Sequence, residues 1–560
     1  MLENLLRSKQ LSAGVERAAH RAILHCVGLQ SEDFNKPLIA VVNSWNEIVP
    51  GHIHLQGIAK YVKQGITESG GVPLEFNTIA LCDGLCQGHT GMRYPLPSRD
   101  LIADSIEMMV EAHQFDGMVM IPGCDKTVPA HIMAALRINI PTVIVTAGPM
   151  EPGNYQEFNN ITLTDMREYI GKVQTGRMAM SDLTEIEKRA LPGPGTCAML
   201  ATANTMGLLT EVLGLTLSGV TAIPAIKSAK WQMARASGRK VLELLQKGIT
   251  PRMIVNQDAI TNAIAADMAI GGSTNSVLHL MAIAKEAGLS LDLAEFDRIS
   301  REVPHICDLK PSGKYPTVYF YEEGGVPALL KVLEPFLKTE QLTANGLTLK
   351  ETLEKVEMSP GKIIRPLDNP LHKEGGIAVL KGNLAPDGAV VKQSGVKPGM
   401  YYFTGSARVF NSMEEAVKAV VNDVIEAGDV IVVRYEGPKG GPGMREMHMI
   451  TSLIVGRGMD ESVALITDGR FSGSTRGPAI GHISPEAAAG GPIAAIRDGD
   501  RITIDIPNRK LDLGVSDEEL RERLKHVVHP VKARHGALAR YAELVTSADK
   551  GAVLVAREIL

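Results

Sequence analysis

The chain has 560 residues, with 58 Lys plus Arg against 63 Asp plus Glu and a net charge of −5. That near-balance excludes the basic excess of a nucleic-acid-binding protein. A content of 44% hydrophobic and 22% charged residues is ordinary for a globular chain long enough to bury a large core without staples. The charged start MLENLLRSKQLSAGVERAAHR has no apolar stretch of signal-peptide type, and the uncharged run 190–210 is broken by Pro, Gly and Thr. The expectation is a cytoplasmic protein with neither a membrane nor a nucleic acid as partner.

In chain order, LIAVVNSW (38–45) reads as a buried strand and His54 to about Ser69 as a helix. FDGMVMIPG (115–123) is a strand entering a Gly-terminated loop, followed by a helix from about Pro129 to Arg137 and a strand in PTVIVTAGPM (141–150). Strand, loop, helix, strand at this spacing predicts a mostly parallel sheet covered by helices, with ligands at the carboxyl ends of the strands. From about Thr339 to Glu374 the text turns polar and Pro-rich. Beyond it, strand-like runs dominate: GIAVLKG (376–382), GAVVKQSG (388–395), DVIVVRYEG (429–437), SVALITDGR (462–470) and DRITIDI (500–506), with a helix over 412–428. The division expected is an N-terminal α/β domain (1–350), a junction (351–375) and a C-terminal β-rich, barrel-like domain (376–560). No repeat or low-complexity segment is present.

Six cysteines, Cys26, Cys82, Cys86, Cys124, Cys197 and Cys307, are too sparse for a disulfide framework, and none forms a CxxC pair. Three loops concentrate reactive side chains: NTIALCDGLCQGHTGMRYPLPSRD (77–100), PGCDKTVPA (122–130) and PGPGTCAMLATANTM (192–206). Each holds a cysteine flanked by Gly or Pro, and Cys82 and Cys124 are followed directly by Asp. Thiolates suit soft metals and iron–sulfur clusters, while carboxylates suit hard ions such as Mg²⁺, so alternating them sets a soft site beside a hard one. Cys26 and Cys307 read as small buried hydrophobes. RYEGPKGGPGMREM (434–447) presents Glu446 after a Gly-rich turn, and ITDGRFSGSTRGPAIGH (466–482) carries Ser472 and Ser474 after a strand. G-x-G-x-x-G, the P-loop motif and H-E-x-x-H are all missing, which removes the nicotinamide, nucleotide and zincin readings.

At GCDK (123–126), TANTM (202–206), GGSTN (271–275), LKGNLAP (380–386), RYEGPKGGPGMREM (434–447), TDGRFSGSTRG (467–477) and SPEAAAGGPIA (484–494), the sequence resembles the dihydroxy-acid and sugar-acid dehydratases. The resemblance runs over nearly the whole chain. It implies a doubly wound N-terminal domain, a swivelling barrel-like C-terminal domain, an iron–sulfur cluster, a Mg²⁺ ion and a homodimer or homotetramer. It makes Cys124 and Cys197 cluster ligands, and Asp83, Asp125 and Glu446 ligands of Mg²⁺. Lys126 matches a lysine carried as a carbamate on the same ion, and Ser472, ahead of Ser474, the proton-abstracting serine. Where the family often has a third cluster cysteine, this chain has Gly51 in Pro50–Gly51–His52. Cys82 is the nearest substitute and Cys86 the second, which leaves [2Fe–2S] and [4Fe–4S] both open. Further departures are Leu85–Cys86–Gln87 for Ile-Ala-Met, Pro95 for Ser, Ala130–His131 for Gly-Met and Met199 for Gly.

The implied reaction is dehydration of a 2,3-dihydroxy acid to a 2-keto acid. The branched-chain acids of Val, Ile and Leu biosynthesis are the first expectation. An aldonic or phospho-sugar acid is the alternative, and a non-catalytic iron–sulfur protein the third, against which Lys126, Glu446 and Ser472 all stand.

Overall fold

A computed structural model describes residues 6–174, 176–473 and 475–555. The N-terminal sheet has four strands, β1 (Leu38–Asn43), β2 (Val72–Asn77), β3 (Gly117–Ile121) and β4 (Thr142–Ile144), in the order β2-β1-β3-β4. All three pairings are parallel. LIAVVN, GMVMI and TVI are buried at every position, as strands covered on both faces must be, and each such side chain gains about 1.5–3 kcal/mol over exposure. The half-exposed β2 carries Pro73 and takes the edge, where a missing N–H costs no ladder bond.

From β1 the chain passes through the helix Leu55–Glu68 to β2, then returns through the helix Pro95–Ala112 to β3 on the other side of β1. Right-handed crossovers running in opposite directions put these helices on opposite faces. The strand order reverses between β1 and β3, so a crevice opens at their carboxyl ends.

Alternation of strand and helix ends at β4. After β4 only a hairpin of β5 (Gly153–Tyr155) and β6 (Phe158–Ile161) follows before a long helical stretch. Thr202–Val212 is buried at every residue and Gln257–Ile270 at nearly every one, as helices inside a core are. The Pro-rich text after it is held rather than loose. The Glu323 carboxylate accepts the backbone N–H groups of Ile363 and Ile364 at 2.9 and 3.0 Å, and Ile363 and Ile364 join the N-terminal core.

The C-terminal sheet has eight strands: β7 (Ala378–Leu380), β8 (Gly388–Val391), β9 (Tyr402–Phe410), β10 (Asp429–Val433), β11 (Ala464–Thr467), β12 (Ala479–Ser484), β13 (Arg501–Asp505) and β14 (Lys510–Leu513). Their order is β14-β13-β9-β10-β11-β12-β8-β7, and a bridge between Lys381 and Lys510 brings the two edges together into a nearly closed barrel. Val430 and Val432 point into the barrel with Ala464, Ile466 and Ile502. Ile431 and Val433 point outward under the helices Met413–Val421 and His448–Gly456. Small and branched side chains fill the interior, as a barrel of this size requires. The helix expected over 412–428 ends at Val421. No helix among the described residues is long and apolar enough to cross a membrane.

Candidate active site

The crevice at β1 and β3 receives the first group of side chains. After β3 come Gly123, Cys124, Asp125 and Lys126, and Thr127 opens the helix Thr127–Ile138. The Thr127 hydroxyl donates to the Cys124 carbonyl at 3.0 Å and accepts the Gly123 N–H at 3.1 Å, which fixes the turn. His52, buried in the loop after β1, donates from Nδ1 to the Ser44 carbonyl at 2.6 Å and accepts the Cys124 N–H on Nε2 at 3.0 Å. That pair of bonds needs a neutral ring, and burial pushes the His52 pKa down to about 3. Gly51 lies so close to Cys124 that a Cβ there would stand 3.0 Å from its sulfur.

Cys197 arrives on a loop stitched to the same place. Gly195 N–H donates to the Pro50 carbonyl at 3.0 Å, and Asn204 of TANTM donates to the Cys197 and Met199 carbonyls. Cys82 precedes the short helix Asp83–Cys86. Burial, followed by neighbouring anions, pushes the Cys82 thiol up to about 11, Cys197 up to about 12 and Cys124 well above its ordinary value. Cys82 and Cys197 lie near enough to Cys124 for their charge to act on it. Cys86 answers to Asp83 and Arg470 instead. Cys26 is exposed and Cys307 is buried in the core.

Beside the thiols, one carboxylate oxygen each from Asp83, Asp125 and Glu446 lies within 4.8 Å of the others. Burial, then Asp83, raises the Asp125 pKa to about 7. Lys126 Nζ lies 2.9 Å from Asp83 Oδ2 and 3.8 Å from Asp125 Oδ2. The fully buried Arg470 pairs with Glu446 and stands 3.4 Å from Asp83. Asp83 Oδ1 is buried without a hydrogen-bond partner. A buried carboxylate oxygen is left so only at a cost, and a cation repays it. Three carboxylates fit a hard ion such as Mg²⁺, and cysteine thiols suit a soft group such as an iron–sulfur cluster, which takes them as thiolates against the burial that favours the neutral form.

The barrel supplies the opposite wall. Glu446 bridges to Arg470, just past β11, and Phe471–Ser472–Gly473 follow directly. Asn275 of GGSTN donates to Glu446 Oε1 at 3.0 Å, to the Phe471 carbonyl at 3.1 Å and to Thr202 at 2.9 Å. One buried amide thus ties both halves of the chain together at the site. Lys392 Nζ donates to the Gly473 carbonyl at 3.0 Å, and Ser472 is 8% exposed, so its loop is fixed and nearly dry. Ser474 lies outside the described residues. The Gly-rich turn before Glu446 approaches protein rather than open space. At Gly443, φ is +96°, and a Cβ would stand 1.7 Å from the Arg93 carbonyl.

Among the unusual residues, Gln87 donates from Nε2 to Glu446 Oε2 at 2.7 Å. Pro95 starts a helix, Met199 is buried, and His131 is buried with Nδ1 bonded to the Thr127 carbonyl at 2.7 Å. A cavity of about 990 Å³ runs from Gly84 and Gln87 outward between the helices Leu163–Gln174 and His448–Gly456. Sequence reasoning missed Asn275 and Arg470 as site residues although both sit inside singled-out motifs. It also missed Arg167, which lines the cavity and carries no motif.

The sequence pattern described as dihydroxy-acid/6-phosphogluconate dehydratase N-terminal matches residues 36–352, and its C-terminal counterpart matches residues 362–552. A dihydroxy-acid dehydratase of Methanothermobacter thermautotrophicus is 50% identical over 550 residues, 98% of this chain and 100% of its own length. Dihydroxy-acid dehydratase 1 of Methanosarcina acetivorans is 51% identical over 553 residues, again 98% of this chain and 100% of its own. The dihydroxy-acid dehydratase of Acetivibrio thermocellus is 51% identical over 552 residues with the same coverage.

Proposed function

This chain belongs to the dihydroxy-acid/6-phosphogluconate dehydratase family, and from that premise we propose that it is a hydro-lyase converting 2,3-dihydroxy acids to 2-keto acids. Its substrates in this reading are 2,3-dihydroxy-3-methylbutanoate and the homologue one carbon larger. The observation that carries the reading is the carboxylate triad of Asp83, Asp125 and Glu446 assembled from both halves of the chain, with Asn275 bonded to both Glu446 and the Phe471 carbonyl. The full-length similarity to dihydroxy-acid dehydratases supports the branched-chain substrates over aldonic acids.

When bound, a divalent ion on the carboxylates stabilises negative charge growing on the substrate, and an iron–sulfur cluster on the thiols serves as Lewis acid for the departing hydroxyl. Asp83, Asp125 and Glu446 would hold the ion, and Lys126 would join them as a carbamate, exchanging an ammonium for an anionic oxygen. Cys124, Cys197 and Cys82 would hold the cluster. Ser472 Oγ takes the proton from C2, a weak acid beside a carboxylate. A serine is a poor base at its free pKa, so the role needs positive charge close by, and Arg470 lies two residues away in a dry wall. Asn275 keeps that wall in register with Glu446. Loss of the C2 proton and the C3 hydroxyl leaves an enol, which takes a proton at C3 and becomes the ketone.

The test is keto-acid formation by anaerobically purified, metal-loaded protein from 2,3-dihydroxy-3-methylbutanoate and from gluconate, xylonate and arabinonate. The branched-chain acid is expected to give the highest kcat/KM. A clearly higher value for an aldonate would overturn the substrate, and no keto acid from any of them would overturn the dehydratase reading.

A further inference from the structure

Three consecutive carbonyls around Ser472 are each taken by a donor. Phe471 accepts from Asn275 Nδ2 at 3.1 Å, Ser472 from the Thr475 N–H at 3.0 Å, and Gly473 from Lys392 Nζ at 3.0 Å. The middle bond is internal to the loop. The outer two come from elsewhere, Asn275 from the N-terminal half and Lys392 from the position directly after β8. Gly473 leaves no slack beneath them, since a Cβ there would stand 2.9 Å from both the Ala201 Cα and the Ser273 Cβ.

The segment that carries Lys392 is itself anchored. Gln393 Nε2 donates to the Gly375 carbonyl at 2.6 Å and the Ser394 N–H to the Gly376 carbonyl at 3.1 Å. The Gly376 N–H donates in turn to the Met268 carbonyl at 2.8 Å, near the end of the helix Gln257–Ile270 from which GGSTN departs. Both outer donors therefore stand on one base. Across from it, the Gly477 N–H donates to the Gly395 carbonyl at 2.9 Å. Lys392 is 5% exposed. Burying an amine costs free energy that an apolar side chain of the same length would not, and the Gly473 carbonyl is what this amine meets. Burial pushes its pKa down to about 7, and in either protonation state an N–H remains to donate.

Resting on the reading of Ser472 as the base of a dehydratase, we propose that Lys392 is a positioning residue for proton abstraction, fixing through the Gly473 carbonyl the peptide that carries Ser472. A serine hydroxyl sits one bond beyond Cβ and has only a few staggered positions, so the backbone decides where Oγ can reach. Proton transfer is sensitive to that place, because a displacement of about 1 Å can cost about 100-fold in rate. The effect of Lys392 passes through Ser472, so removing it matters only while the hydroxyl is present.

The test is a double-mutant cycle on metal-loaded protein at matched iron and Mg²⁺ content, with 2,3-dihydroxy-3-methylbutanoate as substrate. Lys392→Met should lower kcat by roughly 10- to 100-fold and leave KM within about twofold. In a Ser472→Ala background the same change should lower kcat no further. An equal loss in both backgrounds, or a raised KM with kcat unchanged, would overturn the proposal. If Lys392→Met loses iron or fails to fold, Lys392→Gln, polar but too short to reach the Gly473 carbonyl, carries the same cycle with the same expected losses. A slow Ser472→Ala beside a fully active Lys392 variant would overturn this proposal alone. Ser472→Ala with wild-type turnover would overturn the base reading and the proposal with it.

Discussion

In the parallel sheet, Cys124, Asp125 and Lys126 follow directly from β3, and their loop is held by one imidazole and one hydroxyl, His52 and Thr127. In the barrel, Glu446 and Ser472 stand on longer loops whose backbone N–H groups are gathered by buried carboxylates. Asp468 accepts from Tyr435, Glu436 and Ala487 at 2.9 to 3.0 Å, and Glu486 accepts from Lys439 and Gly440 at 2.8 and 2.7 Å. A switch point between parallel strands offers a ready crevice, so few residues suffice to aim a side chain there. A barrel rim offers none, so its loops must be built as structures of their own. Much of the acidic text in the C-terminal motifs therefore does scaffold work: Glu436, Asp468 and Glu486 shape loops, whereas Glu446 completes the triad with Asp83 and Asp125.

The sharpest break between the regions is expected at the thiols. Cys124→Ser should abolish iron and visible absorption in anaerobically prepared protein, while Cys86→Ser should keep both. Iron retained by Cys124→Ser, or lost by Cys86→Ser, would redraw the thiol group. Next comes the residue that joins the regions. Asn275→Ala removes the buried bonds to Glu446 and Phe471 and should lower kcat/KM by roughly 10- to 100-fold, with iron content unchanged. Equal activity would show that the two walls keep register without it.

The smallest effect belongs to the barrel scaffold. Burial, then Asp468, raises the Glu486 pKa from 4.5 to about 7. The folded chain thus keeps a proton that the unfolded chain releases near 4.5. The stability this group contributes is full below that value and is lost as pH rises through about 7. Glu486→Gln cannot ionise, so it should remove a loss on the order of 1–3 kcal/mol between about pH 5 and about pH 8. Denaturant unfolding of metal-free wild type and variant at the two pH values reads it directly, and identical pH dependence would place the Glu486 proton elsewhere.

The same contrast governs what the sequence discloses. β1 and β3 are legible because both faces are covered, and a continuous apolar run follows. β9, the longest strand of the barrel, is not. Its nine residues YFTGSARVF are mostly half-buried, so the text reads as neither a core run nor a clean alternation. The helix after it stops at Val421 because Asn422 and the positive φ of Asp423 turn the chain. At the site, Asp83, Asp125, Lys126 and Glu446 lie together. Asn275 and Arg470 hide within motifs because an amide or a guanidinium shows no chemistry until its partners are known. Arg167 hides in DMREYIG, where acidic neighbours give the look of a solvated helix face. Those neighbours are instead paired, Asp165 with Lys310 and Glu168 with Arg476.

In the proposed reaction the labour is divided, with the metals held chiefly on the strand ends of the parallel sheet and the proton moved from the barrel. The measurement that tests it most directly is Ser472→Ala, prepared anaerobically and assayed for iron, Mg²⁺ and keto-acid formation from 2,3-dihydroxy-3-methylbutanoate. The result expected is wild-type iron and Mg²⁺ content with turnover lower by at least ~10³-fold, the scale of losing an essential base. Turnover within about tenfold of wild type at equal metal content would contradict it.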